Sequence, residues 1–182
     1  MANGYIDNSI APIIAFDFDD TINIKGNSKF PECGEVRKYA REVINFLHEI
    51  GCKIVIWTSR DVAYNQDEKK MYDHITPMTK FLDENDIKYD AINKSVQFAP
   101  FAYNGRKVYA HLYVDDRAFG WNESDTIMID VLRHVLINVI GIDYVTAEQV
   151  ACHIKYNQDT YNCDYNRSIQ RIKYTIQKNW EC

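Results

Sequence analysis

Three stretches of the chain combine a run of apolar residues with an abrupt polar end. They are residues 12–16, which Asp17 follows directly, and residues 53–60 and 107–117. Their apolar positions are largely consecutive, which is typical of parallel strands that are buried on both faces. The sequence therefore predicts three buried strands whose carboxyl ends carry polar side chains.

Helical patterns separate these strands. Residues 35–50 repeat apolar side chains every three and four positions, and Gly51 ends that spacing. Residues 61–86 are predicted to be helical in pieces, residues 87–93 to form a weaker strand, and residues 23–34 to form a flap over the strand ends. Because strands and helices alternate, we expect an α/β fold with a doubly wound parallel sheet.

The last third of the chain has helical spacing alone. Residues 124–140 carry a wide apolar stripe, a second helix begins at Thr146, and residues 167–180 form a third. We therefore predict a core at residues 1–120 and a helical C-terminal extension at residues 121–182, whose first helix packs on the sheet.

Composition narrows the choice of partners and compartment. The chain has 182 residues, of which 46% are hydrophobic, and a net charge of -5. This acidic balance disfavours a broad nucleic-acid surface and favours small phosphorylated molecules as partners. The five cysteines are odd in number and lack C-x2-C spacing, which fits a reduced cytoplasmic protein. No apolar segment approaches about 18 residues, so we expect no membrane insertion.

The first strand ends in two acids. Asp17 and Asp19 stand two residues apart, and the hydroxyl of Thr21 follows at the same interval. Carboxylates this close repel each other unless a cation or a shared proton compensates them. The simplest compensation is Mg2+, a hard cation that binds carboxylates together with substrate phosphate oxygens.

The other two strands end in matching groups. The second ends in Thr58, Ser59 and Arg60, and the third ends in Asp115 and Asp116. In open α/β sheets, ligands bind beyond the carboxyl ends of the strands. We therefore expect acids and hydroxyls to meet at one edge of the sheet, where the candidate Mg2+ ligands are Asp17, Asp19, Asp115 and Asp116.

These motifs together resemble the haloacid dehalogenase-like superfamily of hydrolases, whose nucleophile is an aspartate. The sequence DFDDT at 17–21 is similar to the first motif of that family, WTSR at 57–60 to the second, and VDDR at 114–117 to the fourth. The resemblance is strongest to small phosphatases of bacteria and phages that lack a cap domain, and it covers residues 12–120. Asp20 replaces the usual glycine, but aspartate tolerates unusual turn backbone.

The resemblance implies a role for each motif residue. Asp17 is the expected nucleophile and a metal ligand. Asp19 is expected to protonate the leaving oxygen and then activate water, with its backbone carbonyl on the metal. Thr58 is expected to offer its hydroxyl to the phosphoryl oxygens. The resemblance favours Asp116 as a direct Mg2+ ligand and Asp115 as one that acts through water, although spacing alone does not separate the two.

Four further polar residues complete the predicted substrate-binding surface: Thr21, Ser59, Arg60 and Arg117. For Thr21 we favour a second role, in which it orders the turn and supports Asp19. For the two arginines, a surface salt bridge is an equal alternative.

The lysine that balances the nucleophile's charge has two candidates. Lys94 directly follows the weaker strand at 87–93. Lys107 precedes Asp115 by a stretch that spans roughly 26 Å when extended, which puts it at the wrong edge of the sheet. We therefore predict that Lys94 is the catalytic lysine.

These residues predict a Mg2+-dependent phosphomonoesterase that forms an aspartyl-phosphate and acts on a nucleotide or another small phosphate ester. The alternatives are a polynucleotide end phosphatase and a phosphorylatable module that resembles response-regulator receivers. Asp19 favours a hydrolase, because receivers lack an acid two residues after the phosphorylated aspartate.

The C-terminal extension has several open roles. It can act as a lid over the site or as a contact between identical subunits. Its aromatic and basic residues, such as Tyr165, Arg171 and Tyr174, also suit a base-stacking surface, but a solvated amphipathic helix explains them equally well.

Overall fold

The fold is built on a sheet of four parallel strands. The computed structural model describes residues 11–96, 108–118, 120–156 and 162–180, with backbone only at 162–164. The elements in chain order are β1 (Ile13–Phe16), β2 (Asn23–Ile24), β3 (Glu35–Val36), α1 (Ala40–Glu49), β4 (Lys53–Ile56), β5 (Val62–Asn65), β6 (Lys70–Asp73), α2 (Ile75–Glu84), β7 (Ala91–Ile92), β8 (Leu112–Val114), α3 (Ile127–His134), a π-helical turn (Val135–Ile140), α4 (Tyr144–Tyr156) and α5 (Asn162–Trp180).

The strand order places the three motif strands side by side. The order is β7-β4-β1-β8, and Ile14 of β1 lies opposite Ile54 of β4 and Leu112 of β8. The direction in which strands are added reverses between β1 and β8, as in a doubly wound sheet. The predicted parallel α/β fold is therefore confirmed, and the carboxyl ends of β4, β1 and β8 share one edge.

Apolar side chains of β1 point alternately into two clusters. Ile14 and Phe16 are fully buried in the larger cluster, which also contains the apolar sides of the five helices. Ile13 and Ala15 are buried on the other face of the sheet, where Val108 packs against them. Burial on both faces explains why this strand has no polar alternation.

The flap is a small antiparallel hairpin. Strands β2 and β3 close it, and the buried side-chain oxygen of Asn23 accepts the backbone N–H of Gly34 at 2.8 Å. A Cβ atom at Gly34 would lie 2.2 Å from the carbonyl oxygen of Ile24. Only glycine therefore fits at this close approach of the two backbones.

The prediction that 61–86 is helical in pieces is wrong in its first half. Strands β5 and β6 form an antiparallel hairpin there, and α2 begins only at Ile75. The Asp73 carboxylate accepts the N–H groups of Ile75 and Thr76, at 3.0 and 2.9 Å, and so starts the helix. Val62 and Tyr64 alternate with smaller or polar residues, which is a strand period that the helical interpretation overlooked.

The C-terminal helices share the core of the sheet. Ile129 and Leu132 of α3 are fully buried in the same cluster as Phe16, so the first helix packs on the sheet as expected. Arg133 binds Glu148 through two hydrogen bonds of 2.7 and 2.8 Å, which tie α3 to α4. Helix α5 starts earlier than predicted. Within the described ranges, no helix combines the length and apolarity that crossing a membrane requires.

Candidate metal and phosphoryl site

Three carboxylates meet at the carboxyl ends of β1 and β8. Each of Asp17, Asp115 and Asp116 offers an oxygen, and these oxygens all lie within 4.8 Å of one another. The pairing of the two strands causes this convergence, since the backbone N–H of Asp17 donates to the carbonyl of Val114 at 2.8 Å. Converging carboxylate oxygens are the donor set that hard divalent cations prefer, so the residues present fit Mg2+.

Electrostatics at this cluster also favours a cation. Burial, followed by repulsion from Asp115 and Asp116, raises the pKa of Asp17 from 3.8 to about 7. Burial and the neighbouring Asp115 also raise the pKa of Asp116. One oxygen of Asp115 accepts the backbone N–H of Arg117 at 2.8 Å. Ionising all three acids is therefore unfavourable until a positive charge lies among them.

The carboxylate of Asp19 lies outside this cluster. Both of its carboxylate oxygens accept hydrogen bonds from Arg60, one from Nε and one from Nη2, each at 2.8 Å. These bonds lower the pKa of Asp19 against the opposing effect of burial. Metal ligation by its backbone carbonyl stays a prediction.

Arg60 is a structural partner of Asp19, which corrects its prediction as a substrate-binding residue. Its guanidinium is buried and lies between two rings, 4.9 Å from the centre of Phe18 and 5.1 Å from that of Phe30. Nη1 donates to the carbonyl of Pro31 at 2.6 Å. Arg60 therefore joins β4, the turn after β1 and the flap, and a substrate cannot reach it without displacing these contacts.

Thr21 is likewise internal, which corrects its prediction as a substrate contact. It is fully buried, and its hydroxyl accepts the backbone N–H of Asp116 at 2.9 Å. The favoured role, ordering the turn, agrees with this contact. Thr21 thus fixes the position of one acid in the cluster relative to the strand that carries Asp17.

Sequence reasoning missed Arg37, which organises the turn after β1. This buried arginine donates from Nε to the carbonyl of Thr21 at 2.8 Å, from Nη2 to the carbonyl of Asp20, and from Nη1 to Glu123 at 3.1 Å. Asp20 has φ of 60°, the left-handed conformation for which glycine would be the easier residue. Asp20 thus adopts the unusual turn backbone that aspartate was expected to tolerate.

Asn93 is a second residue that the sequence did not single out. Its side-chain oxygen accepts the N–H of Thr58 at 2.8 Å, and its amide donates to the carbonyl of Thr58 at 2.8 Å. The hydroxyl of Thr58 accepts the N–H of Arg60 at 3.1 Å. Asn93 thereby holds the backbone at the end of β4. An amide at the last position of the weaker strand predicted at 87–93 was the sequence signal for it.

The remaining predicted residues lie at the surface. Ser59, Lys94 and Arg117 are all exposed. Lys94 follows β7, and β4 separates that strand from β1. Lys107, the alternative lysine, lies outside the described residues. Within the described part of the chain, neither Lys94 nor Arg117 has an ion-pair partner, so both are free to meet an anionic ligand.

A structural likeness supports the fold. A conserved protein from Bacteroides thetaiotaomicron has a similar structure, with a TM-score of 0.51 and 23% sequence identity over 68% of this chain and 91% of that protein. The likeness shows a shared α/β fold. No protein-family model matches the chain, and no curated protein matches it.

Proposed function

We propose that the protein is a Mg2+-dependent phosphomonoesterase in which Asp17 attacks phosphorus. One observation carries the proposal: Asp17, Asp115 and Asp116 place carboxylate oxygens within 4.8 Å of one another at the edge where β4 also ends. Mg2+ would bind these three acids and stabilise negative charge on the phosphoryl group. The resemblance of DFDDT, WTSR and VDDR to phosphatase motifs agrees with this chemistry.

The proposed reaction has two steps. A carboxylate oxygen of Asp17 forms a bond to phosphorus while the bond from phosphorus to the ester oxygen breaks, and the leaving oxygen takes a proton. Water then attacks the aspartyl-phosphate, which releases phosphate and restores Asp17. The hydroxyl of Thr58 and backbone N–H groups of the turn after β4 are proposed to bind phosphoryl oxygens.

Asp19 is proposed to move the protons in both steps. The two hydrogen bonds from Arg60 favour its ionised form, which suits activation of water in the second step. Donating a proton in the first step requires Asp19 to be protonated and released from at least one of these bonds. Arg60 is therefore expected to determine which of the two proton transfers Asp19 performs well.

Phosphate release with Mg2+ and with chelator tests the proposal. The substrates are an aryl phosphate, a panel of nucleotides and sugar phosphates, and oligonucleotides with a terminal phosphate. Activity should disappear with chelator, return with Mg2+, and be lost in Asp17→Asn and Asp116→Asn. The matched control is Asp67→Asn, because Asp67 is exposed in the turn between β5 and β6. Activity that survives both chelator and Asp17→Asn would contradict the proposal.

A receiver-like phosphorylatable module is the second candidate, and the engagement of Asp19 by Arg60 favours it. An acid held in its ionised form has no proton to give a leaving oxygen, which disfavours repeated turnover of phosphate esters. Acetyl phosphate labelling separates the two functions: a hydrolase releases phosphate repeatedly, whereas a receiver accumulates one stable phosphoryl group on Asp17. In the hydrolase, Asp19→Asn should lengthen the lifetime of that group.

The preferred substrate in this proposal is a nucleotide or a similar small phosphate ester, with polynucleotide ends as the alternative. A cytoplasmic location belongs to the same proposal. Contacts between subunits through the C-terminal helices are also proposed, and size-exclusion chromatography of the full chain tests them.

A further inference from the structure

Helix α5 carries positive charge and an aromatic ring along its solvent side. The residues concerned recur at intervals of three and four, so they lie along one side of the helix. All of them are exposed, and Tyr174 exposes 65% of its surface. The opposite side of α5 is apolar and buried in the core. The exposed residues, named here the α5 stripe, are Arg167, Arg171, Tyr174 and Lys178.

The charge of this helix opposes that of the protein. Residues 165–180 contain four cations and no acid, whereas the whole chain has a net charge of -5. Arg171 pairs with Asp143 at 3.1 Å. Arg167 and Lys178 have no ion-pair partner among the residues that the structure describes. The stripe is thus a local positive surface whose charge is only partly neutralised by the fold.

We propose that the α5 stripe binds single-stranded nucleic acid, with its cations on the phosphates and a base stacked on Tyr174. From Arg167 to Lys178 the helix rises about 16 Å, a length that spans several phosphates of one strand. Cations that alternate with an exposed aromatic ring are the combination that holds single strands without sequence preference.

Other partners fit this surface less well. An anionic membrane surface would require apolar side chains beside the cations, but Ile172, Ile176 and Trp180 are buried in the fold. An acidic protein would use the cations but not the exposed ring of Tyr174. Tyr165 does not belong to the stripe, because it stacks on His153 with ring centres 3.6 Å apart.

The stripe lies apart from the carboxylate cluster. Trp180, at the end of α5, contacts the ring of His111 at 4.7 Å, and Nδ1 of His111 accepts the N–H of Ile13 at the start of β1. This contact is at the amino edge of the sheet, opposite the edge that carries the acids. The proposal therefore does not depend on phosphatase activity.

Fluorescence anisotropy with a labelled single-stranded oligonucleotide tests the stripe. The oligonucleotide has no terminal phosphate, and chelator is present, so that the carboxylate cluster does not contribute. With about three cations on phosphates, affinity should fall about 20-fold between 50 and 200 mM salt. Arg167→Gln combined with Lys178→Gln should reduce the logarithmic salt slope by about 1.4. Tyr174→Ala should weaken binding about fivefold or more without changing that slope.

The control pair is Lys38→Gln with Lys80→Gln, two exposed cations away from α5. It should bind like the wild type. Three results would overturn the proposal: no saturable binding at 50 mM salt, equal weakening by the stripe and control pairs, or competition by polyglutamate combined with no effect of Tyr174→Ala. Circular dichroism of each variant checks that the exposed substitutions leave the fold intact.

Discussion

Replacing Asp17 with asparagine should stabilise the metal-free protein, even though it removes the proposed nucleophile. Asparagine has nearly the same shape but cannot ionise. The wild-type carboxylate is partly buried beside Asp115 and Asp116, which raises its pKa from 3.8 to about 7. Folding therefore opposes its ionisation, and the variant avoids that cost.

The size and the pH window of this effect follow from proton linkage. Below pH 3.8 the acid is neutral in both the folded and unfolded states, so it costs nothing. Between there and about pH 7 only the unfolded state ionises freely, so the free energy of unfolding falls as pH rises. The full difference would be about 4 kcal/mol, and solvent screening of this partly exposed group reduces it to about 2 kcal/mol.

Thermal unfolding followed by circular dichroism measures the difference. With chelator at pH 8, Asp17→Asn should melt about 4–8 °C above the wild type, and near pH 4 the two melting temperatures should converge. Saturating Mg2+ should raise the wild type strongly at pH 8, weakly at pH 5, and the variant little at either pH. Asp67→Asn should match the wild type throughout. If Asp17→Asn were no more stable than the wild type at pH 8, burial and the neighbouring carboxylates would not oppose ionisation of Asp17 as the structure indicates.

Three further substitutions test other parts of the site. Arg60→Met should lower the free energy of unfolding by about 3 kcal/mol, because it leaves Asp19 without its buried partner. Adding Asp19→Asn to that variant should recover part of the loss. If thermal melts show that the two losses add, the coupling between Arg60 and Asp19 is contradicted. Thr21→Val should weaken Mg2+ binding several-fold in calorimetry, because the N–H of Asp116 loses its acceptor, while Thr21→Ser should bind normally. Lys94→Ala should lower the rate of phosphate release by orders of magnitude, whereas Lys107→Ala should lower it little. The control is Lys88→Ala, at an exposed position. If Lys107→Ala has the larger effect, Lys107 is the catalytic lysine.

The parallel sheet and the acidic cluster were predictable because they depend on short-range patterns. Largely apolar runs that end in acids at Asp17 and Asp115 identify the strands and their carboxyl ends. Parallel pairing then brings those ends to one edge, whatever the intervening loops do. The hairpin formed by β5 and β6 was missed because the alternation at Val62 and Tyr64 is short and was read as part of a helical stretch.

The roles of individual polar side chains were less predictable, because they depend on long-range partners. Arg60 follows Thr58 by two positions in the sequence, yet its guanidinium extends to Asp19 and Pro31. The positions of polar residues along the chain show where a strand ends, but they do not show which rotamer a long side chain adopts. Arg37 shows the same limit, since its partners at the turn after β1 become visible only when the flap closes on that turn.

The charge balance of the site explains why the choice of lysine matters. Asp17, Asp115 and Asp116 carry up to three negative charges, a divalent cation neutralises two of them, and a phosphate dianion would add two more. Arg60 cannot make up this deficit because Asp19 occupies it.

Exposed cations beside the strand ends must then supply the balance, and within the described residues Lys94 and Arg117 stand there without ion-pair partners. Arg117 follows the acid pair directly, whereas Lys94 approaches from β7 at the far side of β4. In the proposed phosphatase, cations on both sides of the carboxylate cluster would hold a phosphoryl group between them, so the two residues would have complementary roles.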